Sequence, residues 1–514
     1  MLFRSPWPDI ELPTCSILEV ILGVAARNAD KPAVIEAETA RSLTYGQLVE
    51  GIERVAAGLS SVELRPGQPL AVALPNCIDF VLAWYGIVRA GGWVVPINPL
   101  CTPAEMRMQI QDSGVRYVLT VPENAAALKT FVDHVFASGG NWKEILDCAG
   151  PPPVIHSSPS DLAVMPSSSG TTGKPKGVML THFNVVSNIR QILAVDLGRT
   201  EDVMVNMAPL YHATGLSFMI GVLGAGGTIV LMRKFELETW LALNERHRAT
   251  FLFGPPPVVL AVTKSPLWPK FRLDSLRCMF CGAAPLGADL HEAFEQRTGL
   301  VLRQGFGMTE TTGPTSINAE ERARRKLGSC GYLFPSCEAR VVDIADGREL
   351  GPCEAGEIWL RGPNIMQGYW NQPEANRETF PGDRWMRTGD IGYFDADGCI
   401  FIVDRLKEFI KYKAYQVAPA ELEDVLQSHP GVQDAAVIGA PDEAAGEIPM
   451  AFVVRKAGAA PDPNELMQYV AARVAPYKKI RAVEFVSEIP KSPAGKILRR
   501  VLKENLRTRR AANP

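Results

Sequence analysis

Short apolar runs alternate with amphipathic stretches along the first two-thirds of the chain. The run PLAVALPN reads as a strand, DFVLAWYGIVRAGG as a helix closed by Gly91 and Gly92, and WVVPIN as the next strand. TPAEMRMQIQDSG follows as a helix capped by Thr102, and RYVLTV returns to a strand. The alternation resumes with DVMVNMAP, GTIVLM, a helix at LETWLALNERH, then ATFLFG and LRCMFCG. Strands alternating with helices imply stacked, largely parallel sheets covered by helices. Beyond about residue 325 the texture changes to short β-rich segments, among them EARVVDI and GEIWLRG, with Gly and Pro between them. This predicts a small barrel-like subdomain over about 325–404. From 405 the pattern is mixed α+β, with helices at AELEDVLQSHPG and NELMQYVAARVA and strands at DAAVIGAPD and MAFVVRK. The expected layout is an N-terminal domain over 1–404 and a compact C-terminal domain over 405–514, of ordinary domain size.

The length of 514 residues is more than one hydrophobic core can serve. Apolar residues are 46% and charged residues 21%, as in a globular enzyme, and the net charge of -3 argues against a nucleic-acid binder. The ten cysteines form no paired framework, which reads as reduced, cytoplasmic chemistry. Cys278 and Cys281 make one C-x-x-C without the second pair a zinc site wants, so they read as small buried side chains in a strand. The start, MLFRSPWPDIELP, lacks the long apolar stretch of a signal peptide, and no run reaches the length of a membrane span. Arg507, Arg509 and Arg510 read as a solvated basic tail.

The strongest local signal is Ser167-Ser168-Ser169-Gly170-Thr171-Thr172-Gly173-Lys174-Pro175-Lys176-Gly177. Small hydroxyl residues and glycines let the backbone curl with its N–H groups inward, as an anion-binding nest, and two lysines add charge. It is not the Walker pattern, which needs four residues between its glycines and Ser or Thr after the Lys. A flexible Ser/Gly linker is disfavoured by the apolar runs on either side, DLAVMP and GVMLTH.

That loop, PLYHATGL, GFGMTET, RTGDIGYFDADG, DRLKEFIKYKAYQVAPAELE and PKSPAGKILRR occur in the order found in adenylate-forming enzymes. The chain resembles this superfamily nearly end to end, and within it the 4-coumarate–CoA ligase branch most, chiefly through IKYKAYQVAPAELE. The resemblance implies activation of a carboxylic acid. A carboxylate oxygen attacks the α-phosphate of ATP and expels pyrophosphate. AMP is then the leaving group for a thiol. The protein must neutralise triphosphate charge, position the reactants and exclude water.

By resemblance, Ser167, Ser168, Ser169, Gly170, Thr171, Thr172, Gly173 and Lys174 hold the pyrophosphate end. Thr309 binds the α-phosphate, and Glu310 holds Mg²⁺. Phe306, followed by Gly307 and Met308, stacks on adenine; Gly282, Ala283 and Ala284 line its other wall. Asp390 accepts the ribose hydroxyls, and Arg405 reaches ribose and phosphate. His212 lines the acyl site in a positioning role, because a carboxylic acid is already ionised at neutral pH. Lys496 is the lysine that neutralises the α-phosphate. Lys407 is the inter-domain hinge, about which the C-terminal domain presents Lys496 for adenylation and then the Lys411–Gln416 strand for thioester formation.

The acyl pocket is expected from Tyr211, Phe218, Cys281, Gly282, Gly305, Gly307, Thr311, Thr312 and Gly313. Glycines around an aromatic wall suit a planar aryl acid such as a benzoate, anthranilate or cinnamate. Two positions depart from the family. Ala414 stands where most relatives have Gly beside the pantetheine channel, and Phe280 stands where plant coumarate ligases often carry Lys facing the ring hydroxyl. The expected function is an acid–CoA ligase using ATP, Mg²⁺ and coenzyme A. The alternatives are a medium-chain fatty acid–CoA ligase, transfer to a carrier-protein phosphopantetheine, and a non-catalytic binding protein on the same fold.

Overall fold

The computed structural model describes residues 1–168, 175–321, 323–406, 408–413, 415–442, 445–492 and 495–512, without the side chains of 415, 416 and 510–512. Among the described residues, four sheets fall within 1–405. One runs Gly368–Tyr369, Lys176–Thr181, Leu162–Val164, Trp93–Pro96, Pro69–Ala73, Tyr117–Thr120, His134–Ala137, and is parallel from Leu162–Val164 onward. A second is four-stranded, Val203–Asn206, Thr228–Leu231, Pro32–Glu36, Ser42–Thr44. The third is five-stranded, Phe251–Gly254, Cys278–Cys281, Val301–Met308, Gly313–Ile317, Tyr332–Leu333. The first three strands of this last sheet are parallel and the rest antiparallel.

The helices between them have readable causes. Pro103–Ser113 starts at Thr102, whose hydroxyl accepts from the Glu105 N–H while Glu105 reaches back to the Thr102 N–H. Ile78–Arg89 is buried almost all round, wedged against Tyr45–Ser61. Cys278 and Cys281 are both buried and both free. An odd spacing along a strand turns them to opposite faces, so they cannot act as a pair.

The β-rich segment forms a five-stranded antiparallel sheet, Glu338–Val342, Gly356–Arg361, Met386–Phe394, Ile400–Arg405, completed at one edge by Phe3–Arg4. Phe3 stacks on Phe394 at 4.3 Å. The last sheet lies in the C-terminal part. Its centre is the long hairpin Val432–Asp442 with Gly446–Arg455, flanked by Ile410–Tyr412, Tyr415–Val417 and Ala482–Phe485. It has its own core of Leu422, Val437, Val453 and Val470. Arg499, at the start of the last helix Arg499–Ala512, is tied to this part through both carboxylate oxygens of Glu423 and the Val437 carbonyl. Among the described residues, no helix is long and apolar enough to cross a membrane.

Candidate active site

One cavity of about 1300 Å³ opens between the large sheets and the C-terminal part. Its wall gathers Ser167, Ser168, Tyr211, His212, Phe218, Cys281, Gly282, Ala283, Gly305, Phe306, Gly307, Met308, Thr309, Glu310, Gly313, Arg405 and Lys496. Residues spread over more than three hundred positions of the chain thus converge on one space, as their motifs predict.

The charged end is built on two adjacent strands. Met386–Phe394 and Ile400–Arg405 pair antiparallel with Asp390 opposite Arg405, and Arg405 Nε lies 3.1 Å from Asp390 Oδ1. The other carboxylate oxygen of Asp390 is buried without a hydrogen-bond partner in the protein. Burial pushes the Asp390 carboxyl up, opposed by the charges of Arg405 and Lys496. Asp390 itself is not on the cavity wall; its unpaired oxygen lies behind Gly389 and Arg405, which are, and a buried acceptor without a partner is a polar group still to be satisfied.

Lys496 is tied to Ser492 by two hydrogen bonds. The Ser492 N–H donates to the Lys496 carbonyl and the Lys496 N–H to Ser492 Oγ. Gly495, at φ 80°, packs against Pro255 so closely that a Cβ would lie 2.8 Å from its Cγ. Both the conformation and the fit therefore require glycine. This contact seats the lysine loop on the large domain. Burial, and then the Arg405 charge, pull the Lys496 ammonium down to about 8.

Glu310 lies in the short turn Thr309–Thr311 and is buried. Tyr369 donates its hydroxyl to Glu310 Oε1 at 2.9 Å. Asn376 clamps the Tyr369 backbone from both sides, and Lys176 Nζ stands 4.7 Å above its ring. Tyr369 lines the cavity and sequence reasoning missed it. The donor set fits Mg²⁺. Among the described residues no cluster of three His, Cys, Asp or Glu could hold a metal unaided. A single fixed carboxylate facing a phosphate site is what Mg²⁺ uses, because it keeps several waters and relies on substrate phosphates.

Next to the lysine, His212 caps the helix Ala213–Ala225, accepting at Nδ1 from the Thr214 N–H. Burial, with the Lys496 charge second, lowers its pKa, so the ring is neutral at pH 7 with its proton on Nε2. Phe218, Phe251, Phe253 and Phe280 form the aromatic wall, with Phe218 and Phe253 at 4.5 Å and Phe251 and Phe280 at 5.1 Å.

Several expected positions are placed differently. Thr311 and Thr312 do not line the cavity. Thr311 Oγ1 donates to the Met308 and Gly313 carbonyls and Thr312 Oγ1 to the Asn364 carbonyl, so both side chains turn into the protein. Gly305 and Gly307 do line it, but their size is set by the neighbouring strand. A Cβ would lie 2.8 Å from the Ser316 carbonyl at Gly305 and 2.2 Å from the Gly313 carbonyl at Gly307. Ala284 is not part of the wall, whereas Ala283 is, in a left-handed conformation with φ 72°. Lys411 is exposed, its N–H held by Glu447 at 2.8 Å, away from the cavity. Ser169, Gly170, Thr171, Thr172, Gly173, Lys174, Lys407, Ala414 and the Gln416 side chain lie outside the described residues.

Residues 23–370 match the family model described as AMP-binding enzyme, and 421–496 match the AMP-binding enzyme C-terminal domain. The chain belongs to the AMP-binding enzyme family. This AMP-binding enzyme is 39% identical to 4-coumarate–CoA ligase 3 of Oryza sativa subsp. japonica, over 98% of this chain and 95% of that one. Its structure is similar to ATP-bound MatB from Rhodopseudomonas palustris, with a TM-score of 0.88 and 29% identity over 95% of this chain and 98% of that one. It is also similar to the anthranilate CoA ligase AuaEII in complex with anthranoyl-AMP, with a TM-score of 0.89 and 26% identity over 96% and 98%.

Proposed function

We propose that this AMP-binding enzyme joins an aryl carboxylic acid of the benzoate, anthranilate or cinnamate type to coenzyme A. The chain is an AMP-forming acid–thiol ligase that uses ATP, Mg²⁺ and coenzyme A. The observation that carries the aryl reading is the continuity of the cavity. Its charged end, with Arg405, Glu310 and Lys496, opens directly onto a wall of four phenylalanines. The relatives named as coumarate and anthranilate ligases support the same choice.

In this reading Asp390 accepts the ribose hydroxyls at its open oxygen, and Arg405 orients the α-phosphate. Phe306 stacks on adenine, and Glu310 holds Mg²⁺, which screens the phosphate charge. Lys496 brings its ammonium to the α-phosphate, where negative charge develops as the acid's oxygen attacks. His212, neutral, shapes the acyl entrance without removing a proton. The domain boundary near 404 and 405, the hinge at Lys407 and the arrival of Lys411 and Gln416 for thioester formation belong to the same proposal.

The direct test is acid-dependent ATP–pyrophosphate exchange, followed by thioester mass over a panel of aryl and aliphatic acids with CoA. Exchange with aliphatic acids alone would remove the aryl assignment. Two further results are expected. Phe306→Tyr should leave ATP affinity nearly unchanged, while Phe306→Ala should weaken it by roughly 1 kcal/mol, read by calorimetric titration. Tyr369→Phe removes the donor that fixes Glu310. It should raise the Mg²⁺ concentration that half-saturates ATP binding by about tenfold, the scale of one hydrogen bond to a charged group. ATP binding measured without Mg²⁺ should not change.

A further inference from the structure

The aromatic wall shares the cavity with one face of a helix. Thr214, Ser217, Phe218, Gly221 and Val222 all line it. Their spacing is that of one helix face, so the helix Ala213–Ala225 runs alongside the acyl arm. From its cap at His212, beside the lysine, to Val222 the helix rises about 15 Å. That exceeds a benzoate or a cinnamate by several methylene groups. Ile192 and Leu197, which come from a different helix and the loop after it, also line the cavity, with Ile192 Cδ1 facing Gly221.

The chemistry of this arm changes along its length. Ser217 is the last polar side chain on the helix face, and its hydroxyl donates to the Ala213 and Thr312 carbonyls. Beyond it, Phe218, Gly221, Val222, Ile192 and Leu197 offer no side-chain donor or acceptor. A ring hydroxyl carried there would be desolvated without a partner, whereas hydrocarbon would exchange water for apolar contact. Gly221 leaves the space open. A Cβ there would meet only Ile192 Cδ1 at 3.5 Å, an ordinary contact.

We propose that the distal half of the acyl arm, lined by Gly221, Val222, Ile192 and Leu197, is a hydrocarbon subsite that selects aryl acids extended at the para position by an apolar chain, and rejects a para-hydroxyl. This rests on the reading of that arm as the acid's site.

The test compares benzoate, its 4-alkyl derivatives from methyl to pentyl, cinnamate and 4-hydroxycinnamate by kcat/KM for thioester formation. The value should rise about three- to fourfold per methylene until the arm is full. 4-Hydroxycinnamate should fall at least tenfold below cinnamate. Gly221→Leu fills the subsite, so the ratio of 4-butylbenzoate to benzoate should collapse toward one. Gly221→Ala should lower that ratio partially and guards against a variant that fails to fold, with ATP binding reporting the fold of both. A flat response to chain length, a preference for the hydroxylated acid, or an unchanged ratio in both variants would overturn the subsite. An absence of ATP–pyrophosphate exchange with every acid would instead overturn the ligase reading, and the subsite with it.

Discussion

Replacing Lys496 by alanine should slow acyl-adenylate formation by about 10²–10³, the scale for losing one preorganised charge partner. Thioester formation from supplied acyl-adenylate should change little. The lysine loop is docked on Pro255 with its ammonium among Arg405, Glu408 and Asp390, the placement that the proposed role in the first half-reaction requires. Single-turnover measurement of each half-reaction separates the two. Equal losses in both would mean that Lys496 holds the fold or both states together. A pH dependence follows from the same surroundings. The ammonium is drawn down to about 8, so in the free enzyme it is charged below that pH and neutral above it. Because the charged form is the useful one, kcat/KM for adenylation should decline as pH rises through about 8. The residual activity of Lys496→Arg should lack that limb, since a guanidinium stays protonated.

Asp390→Asn should weaken ATP binding by about 10²-fold, from the loss of charge-assisted hydrogen bonds to ribose. The decisive comparison is with 2′-deoxy-ATP and 3′-deoxy-ATP. If the open oxygen of Asp390 accepts ribose hydroxyls, removing a hydroxyl should cost the native enzyme much more than the variant. Equal costs in both would place the ribose elsewhere. Thermal unfolding of the variant without nucleotide distinguishes this from damage to the buried pair with Arg405, since breaking such a pair costs several kcal/mol on its own.

The periodic segments gave up their elements readily. PLAVALPN, WVVPIN and RYVLTV are strands of one sheet, and the Thr102 cap starts the helix that TPAEMRMQIQDSG predicts. The motifs picked out His212, Phe306, Glu310, Arg405 and Lys496, and these five share one cavity wall. What escaped depends on pairing between distant segments. Phe3–Arg4 is too short to show any period, and it becomes a strand only because Ala339 and Glu338 offer an edge. Tyr369 reaches Glu310 because its strand pairs with Lys176–Thr181, with Val178 opposite Tyr369. No local pattern announces that contact. Thr311 and Thr312 misled for the converse reason. Their motif neighbours Thr309, Glu310 and Gly313 line the cavity, but the turn and the φ of 65° at Thr312 direct their own hydroxyls onto the backbone.

Gly305 and Gly307 are kept small by the strand beside them, whatever acid is bound. Phe218, Gly221 and Val222 carry no such obligation toward the nucleotide end, and they sit together on one helix. With the acid seated along that helix as proposed, a lineage can drift in its choice of acid by substitutions there and inherit the ATP chemistry intact. The divergence of acid preferences on a common scaffold then needs no rebuilding of the reaction centre. A small combinatorial library at those three positions is the laboratory version of that history.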